Sequence, residues 1–477
     1  VIDDSEQAVT HLLVISYDVV DTRMAGPGIR YWEMARALSK RLGVTLATPG
    51  HSLPFEGVTS HIYTYKDWST IATPVSEADV LLLSGDLLAD FPQLARCGKP
   101  LVMEAAYPYT FENLHLFSAL SPDQQMASFV ISQETMRQVA LAGDFFFCAG
   151  QRQRDYWLGV LDASGRINPD TYAYDPTLYK LIDIVPLGLP SRPPEHTTAV
   201  MKGVIPGIGA TDRVVLWGGG LWQWLDPLSL VRAIAHVVEQ RPDVRLVFPG
   251  TRHPNPIIPH MPMLKQTVEL SDQLGLTNKA IFFGDWVPYE RWPNYLLEAD
   301  IGASLHLDTL ETRFAFRTRM LDYIWAGLPM VVTGGDETSE LVTRYGLGEV
   351  VPPGDDAAIA AAILRLLDAP GLREAYRESF ARVRPSFTWE VACEPIARFC
   401  ERPRFAPDRA AGGMSFQTKV DEALSTQVSQ LQHERERLGA EIDRLQALVQ
   451  AYEQGRFIRL MRWLHDRLND LRRHLRE

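Results

Sequence analysis

Apolar runs and helical-period stretches alternate along this chain, and the whole pattern is played twice. Residues 11–17, HLLVISY, are a Leu/Val/Ile run followed by the loop DVVDTRMAGPG. The next segment, IRYWEMARALSKRLG at 29–43, spaces its apolar residues at helical intervals and ends on Gly43, so strand, glycine loop and helix are predicted in succession. Further strands are predicted at 44–48, 80–84, 100–104 and 145–150, and a helix at 151–161 follows the last of them. Strands that alternate with helices make a mostly parallel sheet, the doubly wound α/β arrangement. A proline-rich stretch at 190–194 reads as a linker. The second round opens with a strand at 213–217, a loop of Gly218, Gly219 and Gly220, and the helical segment LDPLSLVRAIAHVVEQRP, with Asp226 as N-cap and Pro227 in its first turn. Strands at 244–250, 280–284 and 300–305 and an Ala/Leu-rich helix at 356–367 continue it.

Within this second round, residues 311–333, ETRFAFRTRMLDYIWAGLPMVVT, carry the densest chemistry. Gly327, Leu328 and Pro329 end a helix begun near Phe316, and Met330 to Thr333 have the apolar and β-branched character of a strand covered on both faces. Arg317 and Arg319 stand at the start of that helix, where unpaired N–H groups and the helix dipole both favour an anion such as phosphate. The alternative is that they cap a surface loop and pair with Glu311, Asp308 or Asp322. Three consecutive glycines cost backbone entropy, so Gly218 to Gly220 serve either a close approach of pyrophosphate or a tight turn. The same two readings apply to Gly26, Pro27 and Gly28.

Glu311, an acidic residue ahead of the WAGLP turn, and the Val-rich strand after it resemble the donor-sugar segment of retaining, nucleotide-sugar-dependent glycosyltransferases of the GT-B fold, the group 1 type also numbered family four. The resemblance implies two Rossmann-like doubly wound domains, and a seven-residue repeat in the tail adds an α-helical coiled coil after them. Domains are expected at 1–190 (acceptor side) and 191–385 (nucleotide-sugar side), with a crossover helix at 386–402 returning to the first, a linker at 403–413, a coiled coil at 414–454 and a basic amphipathic helix at 455–477. By the family's spacing Asp322 takes the position that holds the nucleotide's ribose. The family's first Glu would fall on Phe314, so Glu311 serves only if the loop between is rearranged. The resemblance further implies that Gly26, Gly28 and Arg30 face the donor diphosphate, that Val287 in the DWVP turn reads the base, and that Glu104, Tyr107 and His115 line the acceptor side. His253, in the loop TRHPNP, is expected near the cleft. The family follows its glycine loop with an Arg and a Lys on phosphate, whereas Leu221, Trp222, Gln223 and Trp224 stand here. Arg317 and Arg319 are therefore expected to supply the missing charge, bidentately as guanidinium groups favour.

The activity implied is transfer of a sugar from a nucleotide-sugar substrate to a glycan or lipid-linked acceptor, with retention, without metal or cofactor, in cell-surface polysaccharide synthesis. A GT-B epimerase or phosphorylase shares the architecture, but no motif for a phosphorylase's pyridoxal lysine is found. A degenerate domain kept as a scaffold is the other rival, motivated by the missing basic pair and the displaced Glu. No Ser–His–Asp spacing and no metal-binding His cluster can be argued from the chain.

Composition narrows the partners. A net charge of -12 across 477 residues argues against a nucleic-acid partner, which would need a basic face. Cys97, Cys148, Cys393 and Cys400 show no paired metal spacing and read as free thiols in a reducing compartment. No segment is long and charge-free enough to span a bilayer, and the opening VIDDSEQ is acidic where a signal peptide is basic, so a cytoplasmic protein is expected, peripheral on the inner membrane face. The first residue is not Met, which reads as a trimmed chain or part of a larger polypeptide. Leu424, Leu431, Leu438, Leu445 and Tyr452 recur every seven residues, with Val428, Ile442 and Val449 at the alternate positions and Arg435 interrupting. This seam predicts self-association or a partner helix, or else packing back on the enzyme. Past Gly455, an apolar face including Phe457, Trp463 and Leu464 opposes Arg456, Arg459, Arg462, Arg467, Arg472 and Arg473. Such a helix can lie on an anionic membrane surface or end a bundle.

Overall fold

The computed structural model describes residues 9–50, 52–53, 56–106, 108–251, 253–255, 262–369, 371–409, 416–453 and 455–475. It divides into two units, Val1–Gly412 and Gly413–Glu477.

The first unit contains two sheets. Strands β1 (His11–Ile15), β2 (Gly43–Thr48), β3 (Val58–Ile62), β4 (Val80–Ser84), β5 (Leu101–Glu104), β6 (Phe145–Cys148) and β7 (Ile182–Ile184) lie in the order β3-β2-β1-β4-β5-β6-β7. Strands β8 (Arg213–Trp217), β9 (Val244–Phe248), β10 (Ile281–Phe283), β11 (Ile301–Ser304), β12 (Met330–Thr333) and β13 (Gly348–Val351) lie in the order β10-β9-β8-β11-β12-β13. Every ladder is parallel, as in the pairing of Leu12 with Val44 on one side and Val80 on the other. In each sheet the order reverses beside the first strand, next to β1 and next to β8, which is where doubly wound sheets open a crevice for ligands.

Strand periodicity decides which core each side chain joins. Leu12 and Val14 enter a core shared with Val214 and Leu216 of the second sheet, whereas Leu13 and Ile15 point to the opposite layer. Val215 and Trp217 likewise face a third core on the far side of the second sheet. The shared core is closed by Trp389, Ile396 and Phe399, from the short helices Trp389–Ala392 and Glu394–Glu401. A single crossover helix was expected over 386–402, but Pro395 cannot donate to the preceding turn, and the chain breaks at Cys393. This segment packs on the first domain: Phe399 stacks on Phe145 at 5.0 Å, and Arg41 pairs with Glu394 at 2.5 Å and with Glu401 at 2.7 Å.

Two local expectations change. The Gly26, Pro27, Gly28 segment is the first turn of the helix Gly26–Leu38, where a missing proline N–H costs nothing, and Gly43 begins β2 and does not end that helix. The expected linker at 403–413 is docked through 409. Its Asp408 pairs with Arg166 at 2.6 Å, and Asp144 accepts from the Ala406 N–H at 2.9 Å and pairs with Arg409 at 2.9 Å. Arg166 and Asp144 are buried and need those counter-charges, a demand that linker-like composition conceals.

The second unit consists of the helices Phe416–Glu453 and Arg456–His474. Among the described residues, no helix is long and apolar enough to cross a membrane.

Candidate functional site

The two sheets of the first unit meet through their carboxyl ends. Trp286 Nε1 donates to the Met24 carbonyl at 2.9 Å, Tyr289 Oη donates to Glu33 at 2.8 Å, and Asn255 donates to Asp18 at 2.8 Å. At the other end Glu337 accepts from the N–H groups of Gln151 and Arg152 at 2.9 and 3.2 Å, so a carboxylate of the second domain caps a helix of the first. Phe314 stacks on Phe111 at 5.8 Å and lies 5.2 Å from Tyr156. The position where the family's spacing puts its first Glu is thus an aromatic stitch between domains.

At the switch point of the second sheet, β8 runs into Gly218, Gly219 and Gly220. The Gly218 N–H donates to Tyr323 Oη at 2.8 Å, and the same hydroxyl lies 3.1 Å from the Leu216 carbonyl and 3.0 Å from that of Ala303. Tyr323 reaches there because Gly302 in β11 has no side chain; a Cβ would come within 2.6 Å of the ring. Gly219 has φ +107°, which L side chains rarely adopt.

The helix Arg319–Ala326 carries Arg319 to this turn. Its Nη2 donates to the Gly220 carbonyl at 3.3 Å, and its guanidinium stacks on Trp217 at 4.6 Å. Nη1 is buried with no hydrogen-bond partner among the described residues. Burial lowers the Arg319 pKa to about 10, with Tyr323 opposing that shift and the like charge of Arg317 adding to it. Asp322 accepts from Trp292 Nε1 at 3.0 Å; burial pushes its carboxyl to about 7 against the pull of Trp292 and Arg319.

Arg317 behaves differently. It forks onto Glu311 at 2.9 and 2.7 Å, with its Nε 3.6 Å from Asp336. Asp336 lies 3.4 Å from His306 Nε2 and caps the helix Glu337–Tyr345 through the Ser339 N–H. Burial alone would raise the Asp336 pKa, but His306, Arg317 and the Ser339 N–H outweigh it and hold the carboxyl low. The sequence predicted a loop at 311–315; Thr309 instead caps a short helix, Leu310–Phe314, and brings Glu311 round to Arg317. The pairing alternative therefore describes Arg317, and the anion-facing one fits Arg319.

From the first domain, Glu112 on the helix Tyr109–Leu116 comes within electrostatic reach of this cluster. Burial, and then the charge of Glu311, push its carboxyl up to about 8 against the pull of Arg317, so it holds its proton at neutral pH.

The remaining predicted residues divide. Arg30 and Glu104, assigned by the resemblance to donor and acceptor, are 2.7 Å apart in a buried ion pair, with Tyr31 donating to Glu104 at 2.7 Å and Arg30 to the Val185 carbonyl at 2.8 Å. Each satisfies the other in this structure. Gly28 is packed: a Cβ would sit 2.3 Å from the Val19 carbonyl, whereas one on Gly26 would meet nothing within 4 Å. Val287 is half-buried in the loop after β10, beside Trp286, and His115 occupies the last turn of its helix. Tyr107 lies outside the described residues. His253 flanks the glycine turn in a row of rings, 6.0 Å from Trp222 and 5.3 Å from Trp286, and Trp222 stacks on Trp224 at 5.3 Å. Among the described residues, no group of three or more His, Cys, Asp or Glu could hold a metal ion.

Sequence reasoning missed His306, Asp336, Tyr323 and Glu112. His306 and Asp336 each follow a strand of the second sheet, a position that could have marked them. Glu112 had no such signal.

Comparison with known proteins agrees with the fold. Residues 212–369 match the family model described as glycosyl transferases group 1. No curated protein sequence matches the chain. Among solved structures, sucrose-phosphate synthase from Thermosynechococcus elongatus is similar at 15% identity and TM-score 0.58, covering 82% of this chain and 98% of that one. Anabaena HepE in complex with UDP and glucose is similar at 14% identity and TM-score 0.58, with 83% and 100% covered. WaaG, a glycosyltransferase involved in lipopolysaccharide biosynthesis, is similar at 14% identity and TM-score 0.55, with 84% and 100% covered. The second sheet and its helices match group 1 glycosyl transferases, and the two domains together take the GT-B fold of these similar structures, which supports a glycosyltransferase.

Proposed function

We propose that the protein transfers a sugar from a nucleotide-sugar donor, bound mainly by the second domain, to a glycan or lipid-linked acceptor bound by the first. The observation that carries this reading is Arg319, a half-buried cation with its Nη1 enclosed, held against the glycine turn at the switch point of the second sheet. A departing diphosphate is the ligand for which such a cation and the turn's main-chain N–H groups are suited. In this reading the C1–O bond to the diphosphate breaks, its electron pair leaves with phosphate, and the acceptor oxygen bonds to C1 while its proton passes to an oxygen of the departing diphosphate. Leaving-group charge falls to Arg319 and the N–H groups without a divalent ion. Retention follows the family resemblance. Asp322 would hold the ribose, and Glu112, protonated, would donate to a sugar hydroxyl. Arg317 and Glu311 act as one positioned pair.

The similar structures carrying UDP and glucose or UDP-glucose support a nucleotide-sugar donor. A role in cell-surface polysaccharide synthesis, on the cytoplasmic face of the membrane, is part of the proposal. The amphipathic helix Arg456–His474 would hold the enzyme near lipid-linked acceptors through its arginines. Release of nucleoside diphosphate from a panel of nucleotide sugars, with and without EDTA, tests the reading, and the anomeric configuration of the product is read by NMR. Phe314 in place of the family's first Glu favours one rival, a scaffold that binds nucleotide but turns over none. Nucleotide binding without release from any donor would decide for the scaffold.

A further inference from the structure

We propose that the helix Phe416–Glu453 pairs in parallel with the same helix of a second copy of this chain. Its seam is open to solvent within the unit: Val428 is 51% exposed, Leu431 60%, Leu438 52%, Ile442 54%, Leu445 52% and Val449 59%. A heptad stripe of that composition gains its stability only by burial against another helix. What selects the partner is charge.

Arg435 falls on the same seam line as Val428, Ile442 and Val449. In a two-stranded coil an arginine there lays its stem across the partner and carries its guanidinium out to water, whereas three or four strands would enclose it. In a parallel pair the two Arg435 side chains oppose each other across the seam, a like-charge contact relieved because each turns outward beside Glu434 of the second copy, the residue just ahead of this seam line flanking the facing one. The flanking positions on the other side are Gln432, Gly439 and Gln446, all uncharged, so Glu434 and Glu441 meet no like charge across the pair.

Reversing one helix changes both terms. The antiparallel overlap that keeps the seam in register stacks Arg435 on Leu438 and places Glu434 against Glu441 of the second copy. Like charges so placed are destabilising, and the arginine loses its counter-ion. Within the single helix, Glu434 and Glu441 lie 3.6 Å from Arg437 and Arg444. Those pairs are exposed and weak, so they do not hold the glutamates back. The surface is therefore complementary to itself in one direction, and both copies enter the pair from the same end.

The test uses the full chain. Light scattering on a gel-filtration column should give a mass of about twice 53.7 kDa. Leu431→Cys should form an intermolecular disulfide on mild oxidation, with the unsubstituted chain and its four cysteines as control. Arg435→Glu should raise the dimer dissociation constant by roughly tenfold or more. Adding Glu434→Arg to it should restore the affinity, which a merely misfolded helix would not allow. A monomeric or trimeric mass, a dimer that fails to cross-link through position 431, or a double charge reversal without recovery would each overturn the proposal.

Discussion

Replacing Arg319 by Met separates a binding role from a structural one, because the two predict opposite signs. In the free enzyme Arg319 is half-buried, its Nη1 is enclosed with no hydrogen-bond partner among the described residues, and its Nη2 makes a long 3.3 Å bond to the Gly220 carbonyl. Burial has already lowered its pKa to about 10, the mark of a cation held at a cost. A Met side chain keeps the apolar stem against Trp217 and removes that charge, so stability should hold or rise by about 1 kcal/mol, roughly 2 °C in Tm. Activity should move the other way. One charge-assisted hydrogen bond to phosphate contributes about 1.5–3 kcal/mol, so kcat/KM for the donor should fall roughly tenfold to a hundredfold. Nucleoside diphosphate release measured against donor concentration, beside a thermal melt of the same sample, reads both. Arg319→Lys, which keeps charge without the fork, should lie between. A Met variant with a lowered Tm and donor kinetics within about twofold of the unsubstituted enzyme would refute the assignment.

Three further outcomes follow from the same geometry. The Asp322 carboxyl rises from its ordinary 3.8 to about 7 in the fold, chiefly through burial, so the folded state binds the extra proton between those values and loses stability as pH rises through that window. Asp322→Asn should flatten the fall, as seen in melts at pH 5 and pH 8, and an unchanged slope would remove Asp322 as its source. Glu311→Gln breaks a buried fork and should cost about 3–5 kcal/mol in urea unfolding, while the double change with Arg317→Met should cost less than either single one; additive losses would contradict a shared pair. Gly28→Ala should destabilise by about 1–3 kcal/mol through its clash with the Val19 carbonyl, and Gly26→Ala, two residues away, should leave the melt unchanged or raised.

Much of the architecture could be read from the order of residues, because it rests on local and periodic properties. Alternating apolar runs and helical stretches specify parallel strands joined by crossovers wherever they occur, and the Asp226 and Pro227 cap and the Gly327 stop sit where backbone chemistry alone requires them. The seven-residue seam of the second unit is likewise visible in one dimension. Proximity across the cleft is not a local property. The glycine turn meets an arginine about a hundred residues later, and the Glu112 carboxyl is raised first by burial and then by the charge of Glu311, a residue on a different domain.

Two arginines a single residue apart show where that boundary runs. By composition Arg317 and Arg319 are equivalent, and a helix start offers both to the same anion. The turn capped by Thr309 brings a carboxylate round to one of them, while the first position of the next helix delivers the other to Gly220. Sequence settled that two arginines would stand at a helix start and three glycines after a strand, since helix starts and strand ends follow from short-range sterics and hydrogen bonding. Only the packed chain decided which cation stays free and which is neutralised, because burial and counter-charge come from residues that tertiary contacts alone bring near.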